Sequence, residues 1–386
     1  MKQTTLIDAL GIGWGEIEVM RDLANLQSFG DKARLARLGT AKRTEDVAVF
    51  IAEQLWACKQ ILSAVGLYKS IGLVKGMVES GVARQPNWDE ILEKIYSDPT
   101  SFRNPVIWLF FHACLQAERD FALDVCCAHS REDVLTGRLL EGIKGACTSW
   151  GKASAAYLRR VEDVLEVSSI DLTVGGGEQE TGGDFALILD IKEKNPTQSD
   201  LDPSVVALTG GPRGDIFVPL LFQAKCYAGL RADISQKHSE RGYQFNRLRQ
   251  VNCAANYIFY ENAKEKINLP ALPMVKPVSD CKPVELSKST DVFSRSINFA
   301  SYVLRAANGF DSIPVAQTRE DALNMILANT SPNSVTKIAI LGNTSGLDKI
   351  YRDALQQLRD EIDNEIRLGS AQDDLDGDQR TSGFKP

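Results

Sequence analysis

Histidine is scarce in this chain: three residues, His112, His129 and His238, in 386. Eight cysteines are scattered, and no two stand in a C-x-x-C pair. A structural zinc site, which needs four such ligands at short spacings, is therefore not expected. The cysteines read as reduced core residues of a cytosolic protein. No apolar run reaches the roughly 18 residues of a membrane span. The most hydrophobic segment, Val106 to Leu115, is short, contains His112 and reads as a buried helix. The N-terminus lacks an uninterrupted apolar stretch and a small-residue cleavage site, so no signal peptide is expected and the chain is read as cytoplasmic. Positive charge is also in deficit. The net charge of −7 is the wrong sign for a protein that coats nucleic acid, although a local basic site remains compatible with it.

Nucleotide-binding loops are missing as well. Gly11-Ile12-Gly13-Trp14-Gly15 lacks the G-x-G-x-x-G spacing and follows no strand. Gly210-Gly211-Pro212-Arg213-Gly214 lacks the G-K-[ST] ending of a phosphate loop. Gly182-Gly183-Asp184-Phe185 looks like a shortened cyclase signature, but no acidic residue follows Asp184.

What is present divides the chain into four parts. Residues 1–128 read as a helical N-terminal domain: Thr44 to Lys69 has apolar residues at helical spacing, and Asn87 begins another helix with Glu90 completing a capping box. Trp56, Trp88 and Trp108 read as core residues. Residues 129–264 alternate between helix and strand. Ser130 reads as the cap of a helix, with Asp133 three residues on. Strand-like runs follow at Val164–Val174, Phe185–Ile191 and Ile216–Cys226, then a polar helix over Ser235–Val251 and a short strand at Tyr257–Tyr260. Residues 265–368 form a C-terminal extension, entered through Pro270, Pro273 and Pro277, with helices expected over Asp291–Ala307 and Leu347–Leu368. The polar tail, 369–386, has the composition of a disordered segment.

The chemistry concentrates in Thr181-Gly182-Gly183-Asp184-Phe185 and Phe222-Gln223-Ala224-Lys225. Side chains alternate faces along a strand, so Gln223 and Lys225 share one face. Burying an amide and an amine there is costly unless they meet partners. If the second and third strands pair antiparallel, Asp184 at the start of one lies beside Gln223 and Lys225 at the end of the other. The glycines before Asp184 permit a tight turn and close approach of a ligand. A carboxylate is a hard ligand for a magnesium-like cation, and the Gln223 amide oxygen or the Ala224 backbone carbonyl can complete its shell. Lys225 can then act on an attacking water or on charge developing at a phosphate. Simpler roles fit the same residues. Asp184 can close an Asx turn, Lys225 can snorkel from a strand, and Glu132 can serve the dipole of the helix it begins. Cys226, beside Lys225, offers a thiol without a histidine partner.

With TGGDF, FQAK and an αβββαβ order over residues 130–262, the chain resembles the PD-(D/E)xK, or restriction-endonuclease-like, nuclease superfamily, in the variant where Q-x-K replaces E-x-K. The resemblance implies an α/β fold with a restriction-endonuclease-like αβββαβ core, flanked here by a large helical N-terminal region and a helical C-terminal extension. It implies Mg2+ or Mn2+ held by Asp184, Gln223 and the Ala224 carbonyl. Lys225 would be catalytic, and Glu132 a fourth member of the site. It further implies metal-dependent endonucleolytic hydrolysis of phosphodiesters, of DNA in the first instance, with Arg241, Gln244 and Arg247 facing the nucleic acid. A setting in bacterial anti-phage defence follows from where Q-x-K nucleases occur. Gln223 in place of Glu removes one negative charge from such a site. The other reading is an inactive nuclease-fold subunit that binds nucleic acid or a protein. The helical regions suit a protein partner or a homo-oligomer. No membrane partner is expected.

Overall fold

A computed structural model describes residues 105–160, 163–171, 183–192, 215–239, 242–264, 271–307, 313–327, 337–361 and 364. The helices expected before residue 105, the 210–214 loop and the polar tail lie outside the described residues.

The first described element, α1 (Pro105–Asp120), begins on proline, whose missing N–H is tolerated in a first turn, and runs into a π-helical turn over Phe121–Val125. Val106 to Leu115 is buried, as its composition predicts, and Trp108 packs edge-on against Trp150. Helix α2 (Glu132–Ala153) buries Leu135, Leu139, Ile143, Ala146, Cys147 and Trp150, a single stripe at helical period. Arg131, not Ser130, occupies its N-cap position, and no side chain caps it. The Ser130 N–H is bound to Asn262 Oδ1 at 3.0 Å. A short helix α3 (Ala155–Arg160) follows.

The strands are β1 (Glu166–Asp171), β2 (Phe185–Ile191), β3 (Ile216–Tyr227) and β7 (Ala254–Glu261), then β8 (Met274–Pro277), β10 (Ile297–Asn298) and β11 (Lys337–Gly342). They form one mixed seven-stranded sheet in the order β1-β11-β2-β3-β7-β8-β10. Strand β2 is buried at every position, as expected of a strand covered on both faces. It pairs antiparallel with β3 and parallel with β11, and β3 pairs parallel with β7. Pro219 interrupts β3 without cost. Its N–H would point away from β2, and pairing with β7 starts only at Leu220.

Helices cover both faces. Odd positions of β2 and even positions of β3 meet α1, α2 and α5 (Phe299–Ala307) in one core. The alternate positions meet α4 (Gln244–Leu248), α6 (Arg319–Leu327) and a helix over 347–361, here α7, in the other. The result is a three-layer α/β/α arrangement. Two small ribbons, β4 (Arg231–Asp233) with β9 (Ser289–Asp291) and β5 (Lys237–His238) with β6 (Gly242–Tyr243), lie beyond the end of β3.

Two expectations are corrected. The polar helix over 235–251 is instead the β5–β6 hairpin followed by the short α4. Asp233 Oδ1 accepts the Ser235 N–H at 2.7 Å, and Gly242 takes a φ of 73°. These local choices stop a helix from propagating. The C-terminal extension is not simply helical. Its residues supply β8, β9, β10 and β11, and the helix expected over 291–307 is confined to Phe299–Ala307. In the sheet, β11 separates β1 from β2.

Candidate active site

Strand β3 is longer than the neighbour it shares with Asp184, and that mismatch builds the site. The β2–β3 register pairs Phe185 with Phe222, and the Asp184 N–H adds one more bond, to the Phe222 carbonyl at 2.8 Å. Beyond that point β2 has ended. The next two N–H groups on the same edge of β3 belong to Ala224 and Cys226, and each needs an acceptor. Ala224 N–H donates to Asp184 Oδ2 at 2.8 Å, and Cys226 N–H donates to Glu132 Oε2 at 2.9 Å. Two carboxylates therefore sit in line along the strand edge, one supplied by the residue just before β2 and one by the first turn of α2.

The opposite face of β3 carries the polar side chains. Gln223 is fully buried and donates through Nε2 to Asp184 Oδ2 at 2.7 Å and to its neighbour's Ala224 carbonyl at 3.1 Å. Its Oε1 accepts from Gln244 Nε2 at 2.6 Å. Lys225, only 6 % exposed, donates to Glu132 Oε1 at 3.3 Å and to Gln236 Oε1 at 2.9 Å. Asp184, Gln223, Lys225 and Glu132, singled out in the sequence, are thus brought together. Thr136 of α2 and Tyr260 of β7 share a hydroxyl contact of 3.3 Å below them.

The approach of α2 is set from a distance. Asn262, just after β7, donates to the Cys126 and Ala128 carbonyls at 3.2 and 2.8 Å and accepts from Ser130. One amide thereby ties down the turn that delivers Glu132 to Lys225.

The glycine before Asp184 has a packing role. A Cβ on Gly183 would come within 2.5 Å of the Leu221 side chain, so the space reserved there belongs to Leu221 and not to a ligand. Thr181 and Gly182 lie outside the described residues.

Burial, reinforced by the Glu132 carboxylate and only partly offset by Lys225, pushes the Cys226 thiol up to about 12. It is a neutral thiol at physiological pH, which removes it as a nucleophile. Burial also holds the Tyr260 phenol well above its ordinary range. The adjacent Asp233 carboxylate is drawn below the usual range, chiefly by the Ser235 hydrogen bonds.

Of the residues expected to face nucleic acid, Gln244 is buried against Gln223 and Arg247 is half-buried. Arg241 lies outside the described residues. Lys237, over the Tyr243 ring, and Arg249, over the Phe245 ring, are exposed cations on the same hairpin and helix. Sequence reasoning missed Gln236 as a site residue. It belongs to an irregular segment, and no periodicity marks it.

A cation-binding role can be tested against these contacts. Gln223 Nε2 carries partial positive charge and lies within hydrogen-bond reach of two oxygens, Asp184 Oδ2 and the Ala224 carbonyl. Asp184 Oδ2 and the Ala224 carbonyl thus lie within reach of one amide group, and they are the hard oxygens that magnesium prefers. Among the described residues, no group of three or more His, Cys, Asp or Glu side chains is arranged to hold a metal. The anionic ligand supply is therefore thin and rests on Asp184, with amide and carbonyl oxygens beside it. Among the described residues no helix is long and apolar enough to cross a membrane. Comparison with family models, with curated proteins and with solved structures returns no match to this chain.

Proposed function

We propose that this chain is a metal-dependent phosphodiester hydrolase acting on nucleic acid, DNA in the first instance, built on a restriction-endonuclease-like core. One observation carries the reading: Asp184, Gln223 and Lys225 converge on adjacent antiparallel strands, and Glu132 meets Lys225 from the preceding helix. The succession α2, β1, β2, β3, α4, β7, with the short α3 and the small strands β4, β5 and β6 interposed, supports the core assignment, and β3 and β7 are parallel. Asp184, the Ala224 carbonyl and Gln223 would hold Mg2+ or Mn2+. When bound, such an ion neutralises charge on a phosphate and lowers the pKa of a bound water. Lys225, pinned between Glu132 and Gln236, presents its ammonium to the attacked phosphate and offsets charge that develops there. Lys237 and Arg249 offer phosphate contacts without base reading.

The test is cleavage of linear, supercoiled and single-stranded DNA, and of RNA, by the purified full chain with Mg2+ or Mn2+. The expected result is metal-dependent cleavage that Asp184→Ala and Lys225→Ala each reduce at least a hundredfold. Equal cleavage by wild type and both variants would refute the assignment.

A second reading is favoured by one specific observation. Asp184 and Glu132 both serve as acceptors for otherwise orphaned N–H groups of β3, a purely architectural duty. In that reading the fold binds nucleic acid or a protein without cutting. Binding retained in Asp184→Asn, with no cleavage by wild type under any divalent cation, is its signature.

A further inference from the structure

The hydrogen bonds around Gln223 have a direction. Its NH2 group points at Asp184 and Ala224, and its carbonyl oxygen takes the NH2 of Gln244. Both side chains are buried, Gln223 fully and Gln244 to within 1 % exposure. At the far end of this row, Gln244 Oε1 is buried with no hydrogen-bond partner among the described residues. Natural structures seldom leave a buried acceptor in that state, and those that do call for a reason.

Turning both amides end for end gives that oxygen a donor, at the cost of moving the orphan to the Gln244 nitrogen. Gln223 Oε1 would then replace Nε2 beside Asp184 Oδ2 and the Ala224 carbonyl. Gln223 Nε2 would donate to Gln244 Oε1, which gains its missing partner. Without a cation this arrangement is disfavoured, because three oxygens crowd together around nothing positive. With a cation among them the repulsion becomes ligation, since an amide carbonyl is an acceptable oxygen ligand. Gln244 Nε2 then stands where an unpaired oxygen had been, a buried donor in place of a buried acceptor.

We propose that Gln223 and Gln244 form a two-position amide relay, set one way in the empty site and reversed when a divalent cation binds at Asp184. The inference rests on the cation-dependent reading above. It gives Gln244 a positioning role: the residue senses the cation through Gln223 without touching it. The main chain of Gln244 is fixed independently, its N–H bound to the Gln236 carbonyl at 2.9 Å, so the side chain can turn while the backbone stays in place. The relay also explains how a site with Gln in place of a carboxylate stays satisfied when empty. A carboxylate at 223 would face Asp184 with like charge, whereas the amide supplies its own donor.

The experiment is a Mg2+ titration of the full chain labelled with 15N at glutamine side chains. The Gln223 and Gln244 NH2 signals are assigned from Gln223→Met and Gln244→Met, and Mg2+ binding is measured separately by calorimetry in wild type and Asp184→Ala. The expected result is that both NH2 pairs shift along one saturation curve that matches the calorimetric affinity. In Asp184→Ala neither pair shifts. If calorimetry shows binding that depends on Asp184 and the Gln244 pair stays fixed, the relay is overturned and the hydrolase reading stands. If no binding depends on Asp184, the cation-dependent reading falls and the relay falls with it.

Discussion

Gln236 accepts a hydrogen bond from the Lys225 ammonium at 2.9 Å, although the lysine is buried and the glutamine is exposed. The contact is shorter than the 3.3 Å ion pair between Lys225 and Glu132. Lys225 is therefore oriented from two directions, by the first turn of a long helix and by an irregular segment at the surface. Removing an exposed hydrogen-bond acceptor costs about 1 kcal/mol, or roughly fivefold in a rate. Gln236→Ala is expected to slow single-turnover cleavage by about that factor while leaving the thermal midpoint within a degree or two. Unchanged turnover would show that Glu132 alone positions the lysine.

Stability and activity should separate at Lys225. Its ammonium is buried, and the compensating Glu132 carboxylate is one-third exposed. Replacing a whole buried pair by apolar groups is often neutral or stabilising, whereas removing one partner strands the other; the Glu132 carboxylate left by Lys225→Met still meets solvent and the Cys226 N–H. Lys225→Met is expected to raise the urea midpoint or leave it in place while abolishing cleavage. Glu132→Ala should lower stability by about 1–3 kcal/mol, less than for a fully buried pair because solvent reaches the carboxylate. A large loss of stability in Lys225→Met would contradict this account.

Glu118 predicts a pH dependence remote from the site. The carboxyl is fully buried at the start of α5, accepting from Asn298 Nδ2 and from Ala300 N–H at 3.1 Å. Burial outweighs these bonds and raises it from 4.5 to about 8. A folded-state pKa above the unfolded one means the folded state holds the proton more tightly. The stabilisation is complete below pH 4.5 and is lost as pH rises through about 8. The loss is on the order of a few kcal/mol. Urea midpoints should fall between pH 6 and 9, and Glu118→Gln should flatten that slope.

Among the described residues, Asp190 and Arg319 form a second buried charge pair. Asp190 on β2 is fully buried and accepts from Arg319 Nε and Nη2 at 2.5 and 3.0 Å. The bidentate contact fastens α6 to the strand that begins beside Asp184. Arg319→Met leaves a buried carboxylate unpaired and should cost about 3–5 kcal/mol. The double variant Asp190→Leu with Arg319→Met should recover most of that loss. A double variant as unstable as the single one would mean that packing, not charge, sets the cost.

Much of this arrangement is visible in local sequence. The alternation of Phe222, Gln223, Ala224 and Lys225 places Gln223 and Lys225 on one face of the strand, and antiparallel pairing brings Asp184 to them. Helix α1 is legible in its unbroken apolar run. The sequence misleads where local rules compete. Ser130 has the chemistry of a cap, but its main chain is held by Asn262, far along the chain, and Arg131 takes the N-cap position. The 235–251 segment has helix-compatible polarity, yet Ser235 and Gly242 favour turns. Strand β11 is foreshadowed by a short apolar run, Lys337 to Gly342, bounded by turn formers. Its place between β1 and β2 depends on partners distant in sequence, and no periodicity encodes that choice.

The position of β11 bears on how the protein is made. Strand β2, which leads directly from Asp184, meets β3 soon after synthesis, but its other edge is filled only by residues 337–342. A nascent chain holding the whole Asp184, Gln223 and Lys225 set therefore still lacks an interior strand of its own sheet. Pairing distant segments is slow, and unpaired strand edges are prone to aggregate. Translation order thus separates the synthesis of these residues from the completion of the sheet that carries them.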